Sequence, residues 1–454
     1  MAGLFGTDGV RGIANAAPLT PELAYRVGRV IAAYLAARRG GGGRPGVLVG
    51  RDTRLSGPLL ECALVAGVLS TGVDALTAGV LPTPAIAALT PALGAVGGVV
   101  LSASHNPFED NGIKIFSGAG GKLPDDWESD IEAELAGEDR GPRPTGAGLG
   151  RVRPVAHREA RYLELVRGSV PPGLDLRGFR LVVDCAHGAT YRVAPRLFRS
   201  LGADVVALGV RPTGTNINRG VGALHPEGVQ ARVRAFPGAL GLAFDGDGDR
   251  LIAVDEAGEV RDGDHLLAIW AKALEARSAL RGGVVVSTVM ANLGLERALA
   301  ELGIGMARVQ VGDRYVLEEM RRLGANLGGE QSGHAIFLDH ATTGDGLLSA
   351  LQLLRVLRET GEPLRSLAAS VRKCPQVLLN VPVRVKPPLG ELPAVGGVVE
   401  RWEQKLDGRA RILVRYSGTE PVARVMVEGD DQMTIEGAAQ EIAAVIRTEI
   451  GRQP

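Results

Sequence analysis

The chain has 454 residues, and 51 Lys plus Arg are balanced by 51 Asp plus Glu. A net charge of zero argues against a protein built to coat nucleic acid, which is basic on balance, and no apolar run approaches the roughly 18 residues of a membrane span. At roughly 150 residues per domain, the length predicts about three domains, with four possible.

The first residues, Met-Ala-Gly-Leu-Phe-Gly-Thr-Asp, lack a basic stretch followed by a long apolar one, so a cytoplasmic protein is expected. Thr20 is placed to cap a first helix, with Pro21 at its first position and Gly40 beyond its end. Leu23, Val27, Val30, Ile31, Tyr34 and Leu35 form its apolar stripe. Gly46 to Asp52 then reads as a buried strand ending in a polar loop before a helix, and Arg180 to Gly188 and Gly283 to Asn292 have the same shape. These three segments predict the opening strands of three α/β domains with parallel sheets. Gly137 to Arg153, rich in Gly, Pro and charge, reads as a connector or mobile loop, and another break falls near Asp255 to Asp264. The tail differs: Val377 to Val385, Arg411 to Tyr416 and Ala423 to Glu428 alternate, and Thr434 to Ile450 closes as an amphipathic helix, which predicts a small α+β domain. Cys62, Cys185 and Cys374 are few, odd in number and set among apolar neighbours, so all three are expected to be buried free thiols. The 64 glycines follow no collagen period and are read as loops that bring backbone close to a ligand.

Two segments carry chemistry. Asp245, Asp247 and Asp249 recur at a spacing of two, which in extended chain places three carboxylates on one face. Two carboxylates about 4 Å apart repel by roughly 1 kcal/mol in water and about 4 kcal/mol at an effective dielectric of 20, so three require water or a cation. Oxygen ligands of this kind suit Mg²⁺ with a place left for a phosphate oxygen. An EF-hand is disfavoured because Arg250 stands where that loop needs Gly and the flanks read as strands, and a solvated acidic turn is the other alternative to a cation site. The second segment is Ser102-Ala-Ser-His-Asn-Pro107, which offers the Ser104 hydroxyl in a tight turn. Neighbouring Ser104 and His105 rarely form a nucleophile–base pair, and no Gly-x-Ser-x-Gly elbow occurs. A phosphate carried on Ser104 beside the cation accounts for both segments. Lys114 lies just downstream and could neutralise a transferring phosphate. Glu330, Ser332 and His334 sit between glycines in a loop able to meet sugar hydroxyls, and Arg415 to Pro421 with Arg424 offers donors to a phosphate. Taken singly, each of these loops is also an ordinary polar turn. No nucleotide phosphate loop is present, and Gly41 to Gly46 matches the dinucleotide pattern in letters only.

Phe5-Gly-Thr-Asp-Gly-Val-Arg-Gly12, Ser102 to Pro107, Asp245 to Arg250, Gly329-Glu-Gln-Ser-Gly-His334 and Arg415-Tyr-Ser-Gly-Thr-Glu-Pro421 occur in one order along nearly the whole chain. The set resembles the α-D-phosphohexomutase superfamily. The resemblance implies an α/β fold: three α/β domains with mixed sheets plus a smaller C-terminal α+β domain around a central cleft. The domains are expected at 1–155, 156–256, 257–374 and 375–454, one functional loop in each. It implies that Ser104 is a phosphoserine and that Asp245, Asp247 and Asp249, with Ser104, hold one Mg²⁺ per chain. It further implies that Arg11, Lys114, Arg250 and His334 line the transfer site and that Glu330 and Ser332 meet the sugar. Arg415, Ser417, Gly418, Thr419 and Arg424 would grip the phosphate that is not reacting. Gln331 favours glucosamine, since relatives directed at mannose or glucose more often carry Met there, whereas Tyr416 and Ala335 depart from the commoner residues at their positions. The expected reaction interconverts glucosamine 6-phosphate and glucosamine 1-phosphate, with glucosamine 1,6-bisphosphate as primer and intermediate. A phosphosugar is the expected partner, with neither nucleic acid nor membrane, in a monomer or homodimer. The rival expectations are a phosphoglucomutase/phosphomannomutase, a Mg-dependent phosphatase and a sugar-phosphate binder without activity.

Overall fold

The computed structural model describes residues 9–39, 42–139, 141–417 and 421–452. Its first sheet runs in the order Val10–Ile13, Asp110–Ser117, Gly97–Leu101, Gly46–Arg51, Asp74–Val80 and Val152–Pro154. The last four of these strands pair in parallel, while Gly97–Leu101 to Asp110–Ser117 and Asp110–Ser117 to Val10–Ile13 are antiparallel. The second sheet runs Val260–Arg261, Leu251–Val254, Ala239–Phe244, Arg180–Asp184 and Asp204–Leu208, parallel around Arg180–Asp184 and antiparallel beyond Ala239–Phe244. The third runs Gly305–Val309, Val284–Thr288, Leu327–Gly329 and Ala335–Phe337, with an antiparallel last pair. The fourth is wholly antiparallel, in the order Gln376–Pro382, Val422–Gly429 and Ala410–Tyr416. Three mixed α/β sheets and one small α+β sheet match the expected fold class.

Each of the three larger sheets thus has a parallel core and an antiparallel step. The serine loop joins Gly97–Leu101 to Asp110–Ser117, the aspartate loop joins Ala239–Phe244 to Leu251–Val254, and Glu330–His334 joins Leu327–Gly329 to Ala335–Phe337. All three loops occupy the same topological place, the turn at which their sheet changes direction.

Local chemistry explains the elements. Thr20 accepts from the Leu23 amide at the start of helix Pro21–Ala37, and the helix buries Val27, Ile31, Tyr34 and Leu35 against the first sheet's core. Val27 and Ile31, one turn apart, face inward as the 3.6-residue period requires. Among the described residues the first strand is Val10–Ile13, an antiparallel edge, so Gly46–Arg51 is a central strand of its sheet and not the opening one. The tail also holds helix Pro393–Leu406, unexpected from the Pro-Pro-Leu-Gly run before it, which covers the fourth sheet through Val395, Val398, Trp402 and Leu406. Cys185 and Cys374 are buried free thiols as expected, but Cys62 is exposed on helix Gly57–Leu69, because its position falls outside that helix's buried stripe of Leu60, Leu64 and Val68. Among the described residues, no helix is long and apolar enough to cross a membrane.

The chain divides into two compact units: the chain up to Thr288 with Ala307–Ala369, and Val289–Met306 with the chain from Ser370 onward. Helix Leu293–Glu301 therefore packs with the C-terminal domain, and its N-cap Asn292 donates to the Cys374 carbonyl at 3.0 Å.

The segment from Gly137 to Arg153 is a pinned strap. Arg29, only 2% exposed, donates to both Asp139 carboxylate oxygens at 2.7 and 2.8 Å, to Ser70 Oγ at 2.7 Å and to the Gly141 carbonyl at 3.3 Å. Arg26 holds the Gly137 carbonyl, Arg44 holds that of Ala147, and Val152–Pro154 joins the first sheet. Composition marked the strap as loose because its own residues lack a core face; what restrains it is a set of arginines far away in sequence. Arg29→Met keeps the stem and removes the donors. It is expected to cost about 2–3 kcal/mol, the scale of lost hydrogen bonds to a charged group, and to open the strap to limited proteolysis. Urea unfolding and digestion maps check both.

Candidate active site

The aspartate loop is a hairpin tip, held by the register Phe244↔Leu251, Ala243↔Ile252 and Leu242↔Ala253. The three carboxylates converge because the chain turns, not because an extended strand alternates. The Gly248 amide donates to the Asp245 carbonyl at 3.2 Å, and Gly248 takes φ +75, which side chains resist. One oxygen from each of Asp245, Asp247 and Asp249 lies within 4.8 Å of the others, and all three residues are buried.

Ser104 meets this tip. Its Oγ–H donates to Asp245 Oδ2 at 2.7 Å, and the residue is buried with φ +51. Gly246 is needed for the approach, since a Cβ there would lie 2.6 Å from the Ser104 carbonyl oxygen. Arg54, 1% exposed, holds the serine loop from behind. Its Nε donates to Asp52 Oδ2 at 2.9 Å, Nη1 to the carbonyls of Pro107 and Asp110, and Nη2 to those of Ser104 and Asn106, both at 2.9 Å. Asp52 Oδ2 in turn accepts from Ser102 Oγ at 2.6 Å, and Ser102 Oγ accepts from the Ser104 amide at 2.9 Å. Asn218, from the second sheet's loops, donates to the Ser104 and Asn106 carbonyls at 2.8 and 3.0 Å. None of Asp52, Arg54 and Asn218 stood out in the sequence as a site residue. The charged run Arg51 to Arg54 directly after a buried strand was the available signal for the first two; Asn218 had none.

The charges around the tip are arranged against one another. Burial, and then the charges of Asp249 and Asp247, push the Asp245 carboxyl well above the usual range. Burial works the same way on Asp249, but His334, Lys114 and Arg250 outweigh it and hold that carboxyl well below its usual range. Lys114 is buried, its Nζ 3.0 Å from Asp247 Oδ2 and 3.8 Å from Asp249 Oδ2. Strand register brings it there: Lys114 pairs with Val100, and Arg11 lies opposite Gly112 on the next strand. Arg250 Nε is 3.9 Å from Asp249 Oδ1, and its backbone amide donates to Asp245 Oδ1 at 3.2 Å. Burial, with the charges of Arg250 and Arg11 next, lowers His105 to about 4, so its ring is neutral at pH 7. Its Nδ1 lies 3.3 Å from Ser104 Oγ.

Glu330–His334 docks on the same hairpin, as Arg250 bridges His334 and the Leu251 amide donates to the Gly333 carbonyl at 3.0 Å. His334 Nδ1 lies 3.5 Å from Asp249 Oδ2, and its Nε2 accepts from the Gly344 amide at 3.0 Å. Glu330 accepts from the Gly312 amide and from Ser332 Oγ. Gln331 donates to Asp264 Oδ2 at 3.2 Å, tying the loop to helix Gly263–Ala276.

Buried oxygens test whether these residues fit a cation. Asp247 Oδ1 and Asp249 Oδ1 are buried without a hydrogen-bond donor among the described residues. Three buried carboxylates with two unsatisfied oxygens form a hard donor set of the kind Mg²⁺ takes. Excess Mg²⁺ at about 100 times its Kd is therefore expected to stabilise the fold by about 2.7 kcal/mol, EDTA to reverse this, and Asp249→Asn to abolish it, as read by thermal unfolding.

In the second compact unit, Arg415 lies directly opposite Arg424 on paired strands. Burial, then the Arg424 charge, lowers the Arg415 pKa. Lys386, unremarked in the sequence, donates to the Ser417 carbonyl at 2.6 Å. Like charges placed opposite one another on paired strands repel, and a bound anion would relieve this. Gly418 and Thr419 lie outside the described residues.

Known proteins resemble the chain in sequence and in fold. Four domain families match in sequence: phosphoglucomutase/phosphomannomutase alpha/beta/alpha domain I over residues 2–141, domain II over 160–258, domain III over 262–374 and the C-terminal domain over 378–445. The phosphoglucosamine mutase of Desulforudis audaxviator is 53% identical over 454 residues, 100% of this chain and 99% of that protein. That of Moorella thermoacetica is 54% identical over 437 residues, 96% of this chain and 97% of that protein. In three dimensions, a phosphoglucomutase/phosphomannomutase family protein of Burkholderia thailandensis superposes with a TM-score of 0.80 at 25% identity over 100% of both chains. The N-acetylphosphoglucosamine mutase of Aspergillus fumigatus, in complex with GlcNAc-6P and magnesium, shares the fold with a TM-score of 0.68 at 17% identity, covering 98% of this chain and 95% of that one.

Proposed function

Because the chain belongs to the phosphoglucomutase/phosphomannomutase family, we propose that it interconverts glucosamine 6-phosphate and glucosamine 1-phosphate through a phosphoserine at Ser104. The observation that carries the reading is the Ser104 hydroxyl 2.7 Å from one of three clustered aspartates. Full-length relatives named phosphoglucosamine mutase support the choice of sugar.

The Ser104 Oγ–P bond breaks as a bond forms from the open sugar hydroxyl to the same phosphorus, giving glucosamine 1,6-bisphosphate. The bisphosphate then presents its other end, and that phosphoryl group returns to Ser104. In each transfer the attacking hydroxyl loses a proton and the leaving oxygen gains one, and Lys114 and His334 are the two candidate carriers. One Mg²⁺ held by Asp245, Asp247 and Asp249 would neutralise charge on the phosphoryl group. Arg54 and Asn218 hold the serine loop, while Arg250, Arg11 and Lys114 supply positive charge around it. Glu330 and Ser332 meet the sugar hydroxyls, and Arg415, Ser417 and Arg424, with Gly418 and Thr419, take the phosphate not being transferred. The work of the protein is positioning and charge complementarity.

Turnover of glucosamine, glucose and mannose phosphates with a bisphosphate primer tests the substrate. A clear preference for glucose or mannose phosphates would reassign the sugar, and stoichiometric release of inorganic phosphate would make the chain a phosphatase. Ser104→Ala is expected to abolish isomerisation while phosphosugar binding persists, and intact mass is expected to show one phosphate lost with it. Arg415→Ala is expected to raise KM for both isomers at least tenfold, the scale of a lost charged hydrogen bond; unchanged KM would remove Arg415 from the phosphate site.

A further inference from the structure

We infer that Thr83 is a positioning residue for the metal site: it clamps Asp247 so that one carboxylate oxygen stays turned toward the cation. This rests on the metal reading above and goes beyond it by assigning a residue outside every acidic or phosphate-binding motif.

Thr83 is the first residue of helix Thr83–Ala92, between Pro82 and Pro84, and is 2% exposed. Its Oγ1–H donates to Asp247 Oδ2 at 2.7 Å, and its amide donates to the Asp247 carbonyl at 2.9 Å. One residue of the first α/β domain therefore grips both the side chain and the backbone of an aspartate 164 positions away. The Thr83 hydroxyl's one hydrogen bond among the described residues goes to Asp247. The two prolines fix φ on either side of the clamp, and β-branching restricts Thr83 χ1, so the donor is aimed before any ligand arrives. The metal loop rests on the same segment, with the Cβ direction of Gly248 meeting Pro82 Cβ at 3.3 Å.

The clamp decides which oxygen is free. Asp247 Oδ2 accepts from Thr83 and from Lys114, whereas Oδ1 is buried without a hydrogen-bond donor among the described residues. Rotating the carboxylate by a half turn would bury Oδ1 against the Thr83 hydroxyl and take the pattern away only in name, but any smaller rotation would misdirect the free oxygen. Lys114 cannot serve alone as the clamp. Its ammonium is shared with Asp249 at 3.8 Å, it sits on a flexible stem, and the proposed reaction asks it to meet a phosphate. Thr83 is the donor that stays. Hydrogen bonds to the non-coordinating side of a metal ligand typically change affinity or activity by about 10- to 100-fold.

Calorimetric titration of the full chain with MgCl₂ tests this. Thr83→Val keeps the shape and the backbone bond but loses the hydroxyl, and is expected to weaken Mg²⁺ binding by about 10-fold or more. Thr83→Ser keeps the donor and is expected to bind close to the parent, with kcat at saturating Mg²⁺ recovering in parallel. Asp247→Asn serves as the control that loses binding outright. Parental affinity in Thr83→Val beside a failing Asp247→Asn would overturn the role of Thr83 and leave the metal site standing. Equal losses in Thr83→Val and Thr83→Ser would also overturn it, by assigning the effect to packing of the methyl. A parent protein that binds no Mg²⁺ would overturn both readings together.

Discussion

Three carboxylates buried within 4.8 Å of one another repel, and the fold is organised around relieving that repulsion. Near the surface, each such pair at about 4 Å costs roughly 4 kcal/mol, and burial adds the loss of water. Protein groups offset part of this. Lys114 and Arg250 bring positive charge, Thr83 and Ser104 donate hydrogen bonds, and two backbone amides cover Asp245 Oδ1. The compensation stops short of completion, because two carboxylate oxygens keep no donor among the described residues. The residual demand is local and has the chemistry of a small hard cation.

The same constraint accounts for where the functional loops sit. A parallel strand ends far from its neighbour's start, so a short connection is possible only where the chain doubles back on an antiparallel partner. In each of the three larger sheets one such step is made by the loop that carries its chemistry: after Leu101, after Phe244 and after Gly329. Hairpin register then fixes side chains that have no other reason to meet. Lys114 opposite Val100 and Arg11 opposite Gly112 are placed by strand pairing before any electrostatic attraction acts.

The elements with strong periodicity were legible in the sequence, as the Thr20 cap and the Val27–Ile31 stripe of the first helix illustrate. The aspartate triplet was legible as well, although for an incomplete reason: spacing of two suggested a pleated strand, and a glycine-dependent turn does the work. What stayed hidden was the support. Thr83, Asn218 and Gly344 are ordinary residues in composition, and their importance lies in partners 164, 114 and 10 positions away. Arg54 was hidden for a related reason, since a charged residue after a strand reads as solvated until its acceptors are known. The strap after Gly137 misled in the opposite sense, because its order comes from Arg26, Arg29 and Arg44 outside it. Cys62 shows that apolar neighbours in sequence do not decide which side of a helix a residue faces.

Arg54 spends every N–H of its guanidinium on the carboxylate of Asp52 and on four carbonyls of the loop that carries Ser104. A loop anchored through four of its carbonyls keeps the Ser104 backbone in one place. In the proposed reaction the burden of movement then falls on the guest: the doubly phosphorylated sugar would turn end for end while the loop of its host keeps still.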